Sequence, residues 1–156
     1  MAILSDRDIV RRRAMGELEI TPFVDEHLTS NGYDLSVGEV SLGGVLHREG
    51  AIVLPPSAWF AVATRERLKL GRRLSGALWL RSTWVRRGII ASFGVVDAGF
   101  QGGLTLPAFN ASSRGINLSI GDTFVQLVFQ ELSSEADRTY AERGGKYQGQ
   151  GGITLA

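Results

Sequence analysis

The sequence contains no cysteine. That excludes a disulfide framework, thiolate catalysis and cysteine-based zinc sites together, and it is compatible with a reducing compartment. Lysine is scarce: of seventeen basic residues, two are lysine, Lys69 and Lys146. Against sixteen acidic residues the net charge is only +1. This is far from the basic footprint of a protein that coats nucleic acid, so no nucleic-acid partner is expected. Long apolar runs are also missing. The longest, Gly88 to Val96, is interrupted by Ser92 and stopped by Asp97, whereas a bilayer span needs ~20 residues. The opening Met1-Ala2-Ile3-Leu4-Ser5-Asp6 lacks the basic region and apolar core of a secretory leader. The expectation is a soluble, cytoplasmic protein with no membrane partner. Histidine is limited to His27 and His47. Both fall in turn regions far from other ligand types, so they read as surface residues, and neither a histidine metal site nor a Ser-His-Asp arrangement is supported.

What is there points to one globular domain. The 156 residues are 44% hydrophobic and 21% charged, and a single domain commonly takes ~100–200 residues. Twenty glycines, about 13% of the chain where ~7% is average, imply many tight turns and favour an all-β design. Ser5-Asp6-Arg7-Asp8 before Ile9-Val10 predicts a short helix over Asp6–Met15, capped by Ser5 and stopped by Gly16. Its Arg11, Arg12 and Arg13 read as a solvated face. Leu18, Ile20 and Pro22 then lead into an extended segment. Tyr33 to Val37 alternates and ends at Gly38. Ile52–Leu54, Trp59–Thr64, Ala77–Leu80, Ile89–Val96, Leu104–Phe109, Ile116–Leu118 and Phe124–Phe129 continue as short strands. Such a series with glycine turns predicts a sandwich or barrel. The Gly-rich end, Arg143 to Gly152, reads as a mobile tail in isolation.

Three clusters carry chemistry. Asp97 ends an apolar strand in Val95-Val96-Asp97-Ala98-Gly99-Phe100-Gln101-Gly102. It is either a turn aspartate bonded to its own backbone or a carboxylate able to take a proton from water. Arg81-Ser82-Thr83 with Arg86 either holds phosphate through arginine forks and a hydroxyl, or starts a helix with Ser82 as cap. The glycines of the tail let backbone amides approach phosphates.

In this order the pieces resemble the dCTP deaminase and dUTPase superfamily over nearly the whole chain. Ile3 to Ile9 resembles the opening of the deaminase branch, and Gly32-Tyr33-Asp34-Leu35 the first shared motif. Arg81-Ser82-Thr83-Trp84-Val85-Arg86 is similar to the second, with Thr83 and Trp84 where serine and a smaller apolar residue are usual. Val96 to Gly102 resembles the third, and Gly121 through Gln126-Leu127 the fourth. Tyr140, Lys146-Tyr147-Gln148-Gly149-Gln150 and the following glycines resemble the deaminase-type C-terminal motif.

The resemblance implies a mostly-β, dUTPase-like distorted β-barrel or jelly-roll (β-clip) with a short N-terminal helix. It implies a single domain over 1–156, with 143–156 a flexible C-terminal lid, and a homotrimer with active sites between subunits. It also implies a deoxynucleoside triphosphate with Mg2+. Arg81, Ser82, Thr83, Arg86 and Gln126 become phosphate-side contacts. Phe100 packs on the deoxyribose, the backbone from Ala91 to Val96 reads the pyrimidine edge, and Tyr140, Lys146 and Gln150 close over the nucleotide. Asp34 becomes an outer-sphere magnesium partner, through water, and Asp97 the residue that activates the attacking water.

One departure divides the two reactions of the superfamily. The deaminases use a glutamate ten residues after the aspartate of the third motif, in a strand reading hydrophobic-Glu-hydrophobic. Here that position is Pro107, in Leu104-Thr105-Leu106-Pro107-Ala108-Phe109-Asn110, and no other carboxylate lies between Asp97 and Asp122. Proline has no acid–base group. The groups for phosphate hydrolysis are all present. The expectation is therefore a dUTP diphosphatase that converts dUTP and water to dUMP and pyrophosphate. Its alternatives are a dCTP deaminase, mono- or bifunctional, and a silent deoxynucleotide-binding homologue.

Overall fold

The computed structural model describes residues 2–156. Along the chain come β1 (Ala2–Ile3), helix α1 (Asp6–Ala14), β2 (Leu18–Thr21), a 3-10 turn (Asp25–His27), β3 (Leu28–Thr29) and β4 (Gly32–Leu42). These are followed by β5 (Val45–His47), β6 (Ala51–Leu54), β7 (Trp59–Thr64), β8 (Arg67–Leu70) and β9 (Leu74–Leu80). Helix α2 (Ser82–Arg87) leads to β10 (Ile89–Ile90), β11 (Val95–Val96), β12 (Gln101–Gly102), β13 (Thr105–Asn110), β14 (Ile116–Ser119) and β15 (Thr123–Glu131). The mostly-β expectation with a short N-terminal helix holds. Among the described residues no helix is long and apolar enough to cross a membrane.

The main sheet runs β10-β13-β7-β4-β15-β9-β11, with β1 added to β15 and β3 and β5 to β4. Two small sheets, β12-β8-β2 and β14-β6, complete the body. Burial follows position. In β2, β6, β8 and β14 inward and outward residues alternate strictly, because one face meets solvent. The central β4 and β15 lose the alternation: Tyr33, Leu35, Val37, Phe124, Val125, Leu127 and Phe129 are all fully buried, as expected where both faces are covered.

Several local expectations need correction. The strand read as stopping at Gly38 runs on to Leu42 through a bulge between Val37 and Glu39. A Cβ at Gly38 would stand 2.9 Å from the backbone of Arg65, so glycine marks a close backbone approach here and not a strand end. The segment Ile89–Val96 is two separate strands, β10 and β11, paired to β13 and β9 respectively, with residues 91–94 leaving the sheets between them. Strand β8 escaped the sequence reading because Arg67 and Lys69 break its apolar run, although both simply face out. Helix α1 has the reciprocal cap in which Ser5 Oγ accepts from Asp8 N while Asp8 accepts from Ser5 N. Of Arg11, Arg12 and Arg13 only Arg11 is exposed: Arg12 pairs with Glu17 and Glu131, and Arg13 lies 3.5 Å over the Phe23 ring. His27 is not a surface residue either. Its Nδ1 is buried without a hydrogen-bond partner, 3.7 Å from Oε1 of the buried Glu66.

Candidate active site

Most of the residues singled out from sequence collect in two cavities that β9 connects, lending Leu78 to one and Leu80 to the other. The first is lined by Ser92 to Asp97, Phe100, Leu104 to Pro107, Leu78, Tyr140, Tyr147 and Gln150. Its floor is a turn. Phe100 N donates to Asp97 O at 3.1 Å, and Gly99 within it has φ +82°, a backbone that a side chain at that position would strain. Gly99 N donates to Leu70 O and Leu70 N to Phe100 O, so the turn is clamped to β8. The side-chain bond of a turn aspartate is not formed: the Asp97 backbone carbonyl closes the turn, while its carboxylate stands exposed, with no ion pair among the described residues. Val96 is buried and pairs with Gly76.

The C-terminal segment closes the same cavity. Tyr140 packs edge-on to Phe100 at 5.5 Å and donates its backbone N–H to Ala98 O. Its hydroxyl accepts from Tyr147 N. Gln150 forms a reciprocal pair with Gly103: Gly103 N donates to Gln150 O, and Gln150 Nε2 donates to Gly103 O, both at 2.9 Å. Its Oε1 is buried with no partner, an acceptor free for a donor from a ligand. Lys146 lies over the Tyr147 ring at 5.3 Å and does not line the cavity.

The second cavity is lined by Thr29, Asp34, Leu80, Arg81, Ser82 and Gln126. Sheet register assembles it: Asp34 on β4 sits opposite Gln126 on β15, which sits opposite Trp79 on β9. Arg81 N donates to Phe124 O, its Nε lies 3.2 Å from Asp34 Oδ2, and its Nη1 bonds Thr123 Oγ1. Gln126 Nε2 donates to Thr29 Oγ1 at 2.8 Å. Burial pushes the Asp34 carboxyl above its ordinary value, and the charges of Arg81 and His27 pull back. Arg81, not Ser82, caps α2, which leaves the Ser82 hydroxyl open to this cavity. Thr83 lines a neighbouring recess with Arg81 and Arg87. Arg86 is on the exposed side of α2 and lines neither cavity. Thr29 was not foreseen, since nothing in Leu28-Thr29 marks it; only the β3–β4 pairing brings it to Gln126.

The two cavities lie along the same strand: β9 lends Leu78 to the first and Leu80 to the second, and Val96 of the first pairs with Gly76, five residues before Arg81 of the second, about 16 Å at ~3.3 Å per residue. No group of three or more metal-ligating side chains is present among the described residues. The lone carboxylate Asp34 fits a magnesium that keeps its waters and is carried mainly by substrate phosphates, not one caged by protein.

The dCTP deaminase-like family matches residues 45–132. A protein named dCTP deaminase from Pyrococcus horikoshii is 41% identical over 137 residues, 85% of this chain and 86% of that protein. A protein of Sulfolobus islandicus rod-shaped virus 1 named "Probable deoxyuridine 5'-triphosphate nucleotidohydrolase" is 34% identical over 99% of this chain and 98% of its own length. Among solved structures, the 2′-deoxycytidine 5′-triphosphate deaminase of Agrobacterium tumefaciens superposes with a TM-score of 0.73 at 19% identity, over 84% of this chain. The match spans about half, 49%, of that longer chain. The EIAV dUTPase superposes at 0.55 and 21% identity, over 78% of this chain and 92% of its own. These likenesses show a dUTPase-like fold.

Proposed function

Given that this chain belongs to the dCTP deaminase-like family, we propose that it is a dUTP diphosphatase that hydrolyses dUTP to dUMP and pyrophosphate. The observation that carries this reading is Pro107. It stands on β13 in the wall of the first cavity, where the resemblance expects the glutamate of a deaminase. Asp97 is the only carboxylate in that wall, so the cavity offers one carboxylate and not two.

The reaction follows from the two half-sites. The deoxynucleoside lies in the first cavity, with its deoxyribose against Phe100 and its base against the backbone of residues 92–96. Tyr140 and Gln150 close over it. Arg81, Ser82 and Gln126, which line the second cavity, hold the phosphates and balance their charge. The Asp97 carboxylate takes a proton from water as the water oxygen bonds to the α-phosphorus. The bond from that phosphorus to the bridging oxygen breaks, and pyrophosphate leaves. Magnesium, when bound, would neutralise charge on the phosphates, and Asp34 would help to hold it through water. From the family resemblance we assign a homotrimer with sites between subunits, in which the Asp97 cavity of one copy meets the Arg81 cavity of another. The exposed Trp59, Trp79, Ile90 and Val95 supply apolar surface for that contact.

The name of the Pyrococcus relative favours a second reading, deamination of dCTP. Incubation with dUTP or dCTP and magnesium, scoring pyrophosphate and ammonia separately, distinguishes them. Pyrophosphate from dUTP without ammonia from dCTP supports the diphosphatase. Ammonia from dCTP overturns it.

A further inference from the structure

Residues 149–153 bond the body through Gly149 N to Gln101 O and through Thr105 Oγ1 to Gly152 O, and two charged side chains outside both cavities hold them as well. The bulge at Gly38 sets the first. Without it Glu39 would share the inward face of Val37; with it, Val37 and Val40 are both fully buried and Glu39 turns outward. There Glu39 Oε1 accepts from Ile153 N at 3.3 Å, while its Oε2 accepts from Arg48 Nε at 2.7 Å. The second is Arg67. Its neighbour on the same face of β8, Lys69, pairs with Glu19. Arg67 makes no ion pair among the described residues. Its guanidinium instead donates to two successive tail carbonyls, Gln150 O at 3.2 Å and Gly149 O at 3.4 Å. Gly151 allows this approach, because a Cβ there would meet Arg67 Nη1 at 3.1 Å. A carboxylate taking an N–H and a guanidinium giving to carbonyls are charge-assisted bonds. They bracket the stretch that carries Gln150 into the cavity.

We propose that Glu39 and Arg67 are positioning residues that latch residues 149–153 over the nucleoside cavity and so set how long a nucleotide is retained. The proposal rests on the reading of that cavity as a deoxynucleoside site. Neither side chain lines the cavity, so the latch acts on retention and leaves the chemical step alone.

The test uses the full chain and the double variant Glu39→Ala/Arg67→Met, with Glu39→Gln as the conservative control that keeps an oxygen for Ile153 N–H. The first readout needs no nucleotide: the rate at which trypsin cuts after Lys146 in the native protein. Loss of the latch bonds is expected to raise it about tenfold at an unchanged melting temperature, with Glu39→Gln close to the parent. The second is a split in kinetics, with the KM for dUTP raised about tenfold and kcat within about twofold. Retention of the non-hydrolysable analogue dUpNHpp gives the same reading where dUTP is not turned over, which separates failure of the latch from failure of the proposed activity. Parent-like cleavage in the double variant overturns the latch. Faster cleavage with parent-like KM and analogue retention overturns its positioning role.

Discussion

The two acidic residues of the half-sites are held in opposite ways. Asp97 is exposed on a turn whose backbone is tied to β8, and its carboxylate has no hydrogen-bonded or charged partner among the described residues. Asp34 is 7% exposed and lies 3.2 Å from the Arg81 guanidinium. A rigid backbone under a free carboxylate suits a group that must exchange a proton. A buried, paired carboxylate suits one that must stay fixed and charged beside a phosphate site. On the proposed diphosphatase reading, the contrast gives chemistry to the first and holding to the second. Asp97→Asn is the sharpest way to break it. Turnover of dUTP is expected to fall about 10²–10⁴-fold, while dUpNHpp binding, read by calorimetry, changes little. Unchanged turnover removes Asp97 from the mechanism.

The proposed sharing of each site between subunits gives the next largest effect. Asp97→Asn and Arg81→Ala each disable a different half. Mixed after joint unfolding and refolding, the two inactive chains are expected to recover about a quarter of parent activity, because in a head-to-tail ring one site in four takes an intact half from each neighbour. No recovery would mean that each chain builds its whole site alone.

Much of this was legible in the sequence where local chemistry dictates local shape. Ser5 and Asp8 form the cap that begins α1. Trp59–Thr64 is a strand with the bounds its apolar run predicts. Gly99 two residues after Asp97 marks a turn, and the turn is there. What escaped was set by contacts distant in sequence. Gly38 reads as a terminator until Arg65 is seen lying against it. Residues 91–94 read as strand because they are apolar, but their hydrophobicity serves a cavity wall and not a ladder. His27 reads as a solvated turn residue because its neighbour Glu66 is 39 positions away. The same logic divides the candidate site. Asp97 to Phe100 is one local motif, whereas the Asp34–Arg81–Gln126 group exists only through the register of β4, β15 and β9.

A smaller effect tests that register-built group. Thr29 touches Gln126 and nothing in the first cavity. A hydrogen bond of this kind is worth ~0.5–1.5 kcal/mol, so Thr29→Val is expected to raise the KM for dUTP by about two- to tenfold, with kcat unchanged. A matching loss in the Asp97 half alone, seen as weaker binding of deoxyuridine without phosphates, would contradict the division.

The smallest effect concerns the pH dependence of folding. Burial is the largest influence on Asp34 and raises its pKa from the ordinary 3.8, with Arg81 and then His27 opposing. A carboxyl whose pKa is raised by folding binds more protons in the native state than in the unfolded one. Its contribution to stability is therefore fully present below 3.8 and is lost as pH rises through the folded-state value. Asparagine has no such loss. Thermal melts of the parent and of Asp34→Asn from acid to neutral pH should show the difference in melting temperature shifting in favour of the variant as pH rises through that window. A drift of the opposite sign in Asp34→Asn would mean that the Arg81 pairing outweighs burial, and Asp34 would then be held charged by its partner more strongly than its surroundings resist the charge.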